Sequence, residues 1–373
     1  DMAKSRGLGD VYKRQVENSG TLQSEGVAFL SEFAPTLLVN TGDIVGDVVI
    51  DGAEGTVSNS GSITGDVSFS DGNDNFINTG LLTGNVSLAG GADRAEFDVS
   101  TSSVSGLIDG GVGIDTAIFA GIVAEGEQVE LGGFVNFEQL ELAVVGAVRL
   151  SDASTFDSVT VLSGSNLSLN DSTLTATSIV LNEGSAFSTD ALTNVFGNGE
   201  FAVQVAGMSQ FNNGGLLAAM QSGVSLSGDN AQFINTGTVE AAFGGVVSTA
   251  LNTVLDNSGT IDAGNTAVEL LGDGAQFSNS GTLLSGFEGV LLSASNSLVL
   301  NAGQINSGTN GILVTGGLNN SIVNSGFIES GSTAISVGNS TDSLISNEGN
   351  ISTSADGAHG ILEGRGQGTV VLT

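Results

Sequence analysis

The stretch FSNSGTLLSGFEGVLLS, Phe277–Ser293, repeats the pattern of FINTGTVEAAFGGVVST, Phe233–Thr249. Both read apolar, any residue, Asn, any residue, Gly, any residue, apolar, and both reach Gly then Val ten residues after the Asn. The Asn of this motif recurs at a spacing of 19 to 23 residues within two series: Asn18, Asn40, Asn59 and Asn78, then Asn213, Asn235, Asn257, Asn279, Asn301, Asn324 and Asn347. Self-similarity at so regular a period indicates a solenoid.

Apolar residues keep fixed places in each repeat. They lie two residues before and four residues after every motif Asn, and in the second series also eleven after, with a slip of three in the last copy, to Ile361. Around these positions apolar residues recur at every second residue, as in Val268-x-Leu270. A period of two is that of a strand rather than of a helix. Short strands that recur every ~22 residues in one direction must stack in parallel. The sequence therefore predicts an all-β parallel β-helix with coils of ~22 residues, each burying its apolar face against its neighbours.

The Asn and Gly of the motif are predicted to be structural. Gly adopts positive φ without penalty and Asn does so more readily than most residues, so both suit a sharp turn between strands. Stacked Asn side chains can also hydrogen-bond from coil to coil. We expect such a structural ladder at Asn213, Asn235, Asn257, Asn279, Asn301, Asn324 and Asn347.

Basic residues are concentrated at the start of the chain. Four of the seven Lys and Arg residues lie in DMAKSRGLGDVYKRQ, residues 1–15, and the part DVYKRQ resembles translated adapter sequence. We expect 1–15 to be a non-native or disordered segment; a basic N-terminal tail is the alternative. The rest, 16–373, is predicted to be a single continuous β-helix, less regular over 79–212, where the Asn motif is missing.

The overall charge restricts the partners. The chain carries 40 acidic residues and a formal net charge of −33, and it has no Cys. Binding to nucleic acid or to an anionic membrane requires clustered Lys and Arg, which the sequence does not offer. No apolar run approaches the ~20 residues of a spanning helix, so we expect no membrane insertion by this segment. Cations and neutral glycans remain as partners, and no disulfide can form.

One stretch suggests a metal. GGVGIDTAI, 110–118, fits the calcium-binding nonapeptide G-G-x-G-x-D-x-U-x, and SDGNDNF and GGADRAEF occupy the equivalent turn in neighbouring coils. Calcium prefers oxygen ligands, so Asp74, Asp93, Asp109 and Asp115 are candidate ligands. The nonapeptide occurs once rather than in tandem, and the alternative is a Gly-rich turn that carries solvated Asp. No other cofactor is expected.

Catalysis finds little support in the sequence. His359, the only His, has no nucleophile motif near it and is expected in a surface loop, and a single His without Cys excludes a zinc site. Some β-helix enzymes cleave polysaccharides with clustered carboxylates. However, three scattered Arg and the absence of Trp offer neither an anion cluster nor a stacking platform in 16–373. We expect no catalytic residues and keep a polysaccharide lyase or hydrolase as the alternative.

Three stretches resemble the passenger region of bacterial autotransporters: NSGTI…AVELLGDGAQFSNSGTL, NSGSITGDVSFSDGNDNFINTG and GGVGIDTAIF…GGFVNFEQLEL. The resemblance covers nearly all of 16–373. The resemblance implies a right-handed parallel β-helix that serves as a structural or adhesive rod at the cell surface or outside a Gram-negative cell. It implies a C-terminal translocator barrel in the full-length protein, and a glycan, matrix or cell-surface receptor as partner. Because GTVVLT ends where the next Asn is due, we expect the chain to be truncated there.

Overall fold

The computed structural model describes residues 14–33, 35–52, 54–150, 154–364 and 367–372. Its regular elements are strands, which stack in parallel as a β-solenoid of about 16 turns with ~22 residues per turn. The predicted fold class is therefore confirmed. The segment predicted to be non-native or disordered lies outside the described residues over 1–13, and the first strand begins at Arg14. Within the described ranges, no helix has the length and apolar character needed to cross a membrane.

The described residues fall into two compact units, one reaching Val123 and including Leu131–Val144, the other comprising Ala124–Glu130 and the residues from Val145 onward. The strands of the first unit are β1 Arg14–Asn18, β2 Thr21–Glu32, β3 Thr36–Asn40, β4 Asp43–Asp51, β5 Gly55–Asn59, β6 Ser62–Thr64, β7 Val67–Phe69, β8 Asn75–Asn78, β9 Leu81–Thr83, β10 Val86–Ser87, β11 Gly90–Gly91, β12 Arg94–Asp98, β13 Ser103–Val104, β14 Ile108–Asp109, β15 Val112–Gly113, β16 Thr116–Ile122 and β18 Phe134–Val135. Residues of β17 Gln128–Leu131 and β19 Gln139–Leu150 belong to both units. The prediction of a single continuous β-helix over 16–373 stays a prediction.

The second unit continues with β20 Ser154–Val161, β21 Asn166–Leu169, β22 Thr173–Leu181, β23 Ala186–Thr189, β24 Asn194–Gly197, β25 Phe201–Val205, β26 Gln210–Asn213, β27 Leu216–Ala219, β28 Ser222–Leu226, β29 Gln232–Asn235, β30 Thr238–Ala241, β31 Val246–Ser248, β32 Val254–Asn257, β33 Thr260–Ala263, β34 Val268–Leu270, β35 Gln276–Asn279, β36 Thr282–Ser285, β37 Val290–Leu292, β38 Leu298–Asn301, β39 Gln304–Ser307, β40 Ile312–Val314, β41 Ser321–Asn324, β42 Phe327–Ser330, β43 Ile335–Val337, β44 Thr341–Asn347, β45 Asn350–Thr353, β46 Ile361–Glu363 and β47 Gln367–Leu372.

Each regular coil of the second unit contains three strands. In the coil that holds Asn257 these are β32, β33 and β34, and they pair with β35, β36 and β37 of the next coil without a register shift. The motif Asn is the last residue of the first strand of its coil. Residues at equivalent places in successive repeats are therefore direct neighbours along the stack.

The predicted apolar columns form the core of this unit. Phe277, Leu283 and Val290 belong to the three columns, and at most 1% of each residue is exposed. Within a strand the burial alternates, because successive side chains of a strand point to opposite faces. The slip to Ile361 is also confirmed, since Ile361 pairs with Ile335 of the preceding coil.

In the first unit the Asn column continues as a stack of aromatic side chains. Asn78 pairs with Phe97 of the next coil, and Phe97 pairs with Phe119 of the coil after that. The rings of Phe97 and Phe119 are stacked with their centroids 5.6 Å apart. Buried rings thus occupy the place of the amide ladder where the sequence motif is lost.

The expected reason for the motif Gly is wrong. These glycines and the ladder Asn residues lie outside the left-handed region. Gly259 is needed because the coils approach closely there: a Cβ at this position would lie 2.0 Å from the carbonyl oxygen of Gly237. The left-handed Asn residues of these coils lie in a different turn, which follows the third strand: Asn230, Asn252, Asn296 and Asn319.

Candidate functional site

The predicted Asn ladder forms in the second unit. The side chains of Asn213, Asn235, Asn257, Asn279, Asn301 and Asn324 each donate from Nδ2 to Oδ1 of the next motif Asn, over 2.6–2.8 Å, and the file ends at Asn347. At the other end, the hydroxyl of Thr189 donates to Oδ1 of Asn213. The ladder satisfies polar groups that lie inside the stack, so its role is structural.

The same chemistry operates in the first unit. Asn18, Asn40 and Asn59 donate from Nδ2 to Oδ1 of the following motif Asn, each over 2.8 Å, and this file ends at Asn78. Each Nδ2 also has backbone carbonyl acceptors; that of Asn40, for example, bonds to the oxygens of Gly42 and Ser62. A shared side-chain and backbone network therefore binds consecutive coils in both units.

A second column of stacked side chains in the first unit consists of carboxylates. Asp74 accepts a hydrogen bond from the backbone N–H of Gly55, Asp93 accepts one from Asp74, and Asp115 accepts one from Asp93. The backbone N–H of Asp115 in turn donates to the carboxylate of Glu138. We call Asp74, Asp93 and Asp115 the Asp column. At most 2% of each of its residues is exposed, and the Oδ2 atom of each is buried without a partner.

Burial controls the protonation of the Asp column. Desolvation raises the pKa of Asp74 to about 7, against the opposing effect of the Gly55 N–H and with further support from the nearby negative charge of Asp93. Desolvation likewise raises the pKa of Asp93 to about 6, and it raises the pKa of Asp115. Stacked buried carboxylates disfavour a common charged state, so Asp74 and Asp93 take up protons near neutral pH.

The structure places three of the four predicted calcium ligands in the Asp column. Asp109 lies outside that column and accepts bonds from the N–H of Gly111 and the side chain of Asn136. Its negative charge nevertheless contributes to the raised pKa of Asp115. Over the described ranges, no group of three or more His, Asp or Glu side chains is arranged to hold a metal ion. Calcium at Asp74, Asp93, Asp109 and Asp115 stays a prediction, without a geometric argument in its favour.

Two observations bear on the polysaccharide-cleaving alternative. His359 is exposed, as predicted for a surface loop. Glu240 and Asp262 are exposed and pair in register on β30 and β33, which places their Cα atoms ~4.8 Å apart. Both line a groove of about 410 Å³ in the second unit. This pair is the feature that bears on the alternative of a polysaccharide-cleaving enzyme.

A second groove, of about 550 Å³, was not predicted. It is lined by the ends of the second strands of successive coils and by the glycines that follow them, and we call it the serine groove. Ser285, Ser307 and Ser330 lie along it, one per coil. They stand six residues after their motif Asn, where the three preceding coils have Ala219, Ala241 and Ala263. This change from Ala to Ser is the sequence signal that could have found the groove.

Comparisons of the chain with protein-family models, with curated proteins and with solved structures found no match. The described residues thus define the class of the protein by its fold alone, as a parallel β-solenoid.

Proposed function

We propose that the chain is a structural and adhesive passenger segment, displayed or released by a Gram-negative cell, that binds glycan, matrix or receptor surfaces. The observation that carries this proposal is the contrast between the two faces of its strands. Inward positions repeat from coil to coil, whereas the outward column of the second strands changes at nearly every coil: Ala218, Glu240, Asp262, Leu284, Asn306, Glu329 and Ser352. A constant core that supports a varied polar surface suits a presenting scaffold.

The composition agrees with this role. A chain without Cys can pass an oxidising compartment unfolded without forming a disulfide that would block its passage. The net charge of −33 opposes binding to anionic polymers and favours uncharged or cationic partners. Delivery by a translocator barrel follows from the resemblance to autotransporter passengers and belongs to the same proposal.

The test is display followed by adhesion. With a signal peptide before it and a translocator barrel after it, the chain is expected to reach the surface of a Gram-negative cell and become accessible to an external antibody. The displaying cells are expected to bind glycan-coated or matrix-coated surfaces above cells that display the barrel alone. Retention inside the cell contradicts the passenger role, and display without binding contradicts the adhesive role.

The enzymatic alternative rests on Glu240 and Asp262, two carboxylates on neighbouring coils in one groove. Two carboxylates about 5 Å apart can act as nucleophile and acid–base on a glycosidic bond. The displayed chain should therefore be incubated with neutral and uronic-acid polysaccharides and new reducing ends measured. We expect none; release that disappears in Glu240→Gln favours the enzyme.

A further inference from the structure

The serine groove has a regular construction. Five consecutive coils contribute to it, with Asp262 in the first of them and Ser354 in the last. Four intervals of ~4.8 Å give the groove a length of ~19 Å along the stack. Gly286, Gly308 and Gly331 line it, and a Cβ on Gly308 would lie 2.0 Å from the carbonyl oxygen of Gly286. Side chains are therefore excluded at these three positions, which keeps the middle of the groove open.

Unpartnered polar groups are concentrated here. Among the described residues, nine buried side-chain oxygen or nitrogen atoms have no hydrogen-bond partner, and four of them belong to this groove: Oγ of Ser285, Ser307 and Ser330, and Oδ1 of Asn306. Ser330 is only 1% exposed. A buried polar group without a partner costs ~1–3 kcal/mol, and Ala at the same position in neighbouring coils avoids that cost. The protein therefore leaves the hydrogen-bonding capacity of these hydroxyls unused.

The charges of the groove restrict what binds. Asp262 and Glu329 are exposed along it, and none of its lining residues is basic. Anionic ligands are therefore repelled. The two carboxylates stand three coils apart, ~14 Å, which is too far for the paired-carboxylate chemistry of glycoside cleavage. These two carboxylates are therefore not a catalytic pair with each other, and we consider the groove as a binding site.

A peptide is a poor occupant. An extended peptide gains affinity by adding a strand to an open sheet edge. Here β36, β39 and β42 pair with neighbours on both sides, so their backbone groups are already used. What the groove offers instead is hydroxyl and amide side chains that repeat every ~4.8 Å. Such groups both donate and accept, as the hydroxyls of a sugar do.

We propose that the serine groove binds an uncharged linear oligosaccharide of roughly three or four pyranose units along the stack axis. Ser285, Ser307 and Ser330 supply hydroxyls to it, and Asn306 supplies its amide. This inference rests on the proposed adhesive function and deepens it by naming the ligand class and the site.

The experiment uses the whole chain and three probes: maltotetraose, cellotetraose and N-acetylated chitotetraose, each titrated calorimetrically. At least one is expected to bind. The triple variant Ser285→Ala, Ser307→Ala, Ser330→Ala is expected to lower the affinity at least tenfold while its unfolding midpoint stays the same or rises. It copies the residues present at 219, 241 and 263, so the fold accommodates it.

A second variant and a control complete the design. Asn306→Ala is expected to weaken binding at least fivefold, and Asn212→Ala is expected to leave it unchanged. Asn212 is the third residue of a four-residue strand, as Asn306 is, but it lies outside the groove and its side chain is bonded to Gln210. The inference is overturned if no probe binds, if the triple variant binds like the original chain, or if polygalacturonate competes better than every neutral probe. If displayed cells carrying the triple variant adhere like the original, only the groove assignment fails; if the original chain adheres to nothing, the proposed function fails.

Discussion

Replacing Asn257 by leucine is expected to lower the free energy of unfolding by about 4 kcal/mol. The leucine fills a similar volume but removes the bond that Asn257 accepts from Asn235 and the bond that it donates to Asn279, each 2.8 Å long. The oxygen of Asn279 then remains buried without its donor, and the carbonyl oxygens of Gly259 and Thr282 lose the amide of Asn257, at ~1–3 kcal/mol for each group left unsatisfied. The amide of Asn235 keeps its backbone acceptors. Urea unfolding followed by far-UV circular dichroism measures the difference.

The matched control for this substitution is Asn212→Leu. Asn212 is half-buried in a strand of the same unit and accepts a bond from the side chain of Gln210 rather than from a ladder residue. Its replacement is expected to change the free energy of unfolding by less than about 1 kcal/mol. Equal effects of the two leucines would show that the ladder contributes no more than an ordinary surface amide.

The Asp column is expected to make the first unit more stable in mild acid than at pH 8. Asp93 has a folded-state pKa of about 6 against an ordinary value of 3.8. Its contribution to stability is therefore fully present below about pH 4 and is lost as the pH rises through about 6. A shift of this size corresponds to a free energy on the order of 2 to 3 kcal/mol.

Asp93→Asn is expected to remove that penalty. An asparagine at this position can still accept the bond from the backbone N–H of Asp74, 2.7 Å long in the structure, and its amide can donate to a neighbouring carboxylate. The variant should gain on the order of 2 kcal/mol at pH 8 and little at pH 4. Asp66→Asn is the control, since Asp66 is exposed in the same unit and also accepts a backbone bond, from Asn85. A loss of stability at pH 8 in Asp93→Asn would contradict the buried-acid explanation.

The core of the second unit was predictable because one repeated residue defined its register. Asn279 marks the end of a strand, and alternation by two residues from that point locates Phe277 inside and Ser278 outside. A single residue of error would have exchanged the two faces, so the position of the Asn decides the packing. The slip to Ile361 could be read for the same reason, since the apolar column resumes after the insertion.

Other features depend on contacts that a single sequence does not display. The sequence does not distinguish a Gly that a turn needs for its positive φ from a Gly that the neighbouring coil needs for its close approach. At Gly259 only the second reason applies. Asp93 was a candidate ligand because of its neighbours in the chain. In space it is buried between Asp74 and Asp115, and its pKa is raised chiefly by desolvation and further by the charge of Asp115. The hydroxyl of Ser330 has no sequence signature of being unpartnered.

The central claim is that equivalent residues of successive coils lie one above the other. Its most direct test is disulfide cross-linking between pairs of introduced cysteines. The chain has no Cys, so any thiol pair reports only on its own geometry. Asp256 and Ser278 pair directly on β32 and β35, within the Cα range that a disulfide bridges, whereas Asp256 and Leu300 are two coils apart, ~9.6 Å. Mild oxidation is expected to link Asp256→Cys with Ser278→Cys rapidly and Asp256→Cys with Leu300→Cys hardly at all. Equal linking of both pairs, or linking of neither, would contradict the stacked register.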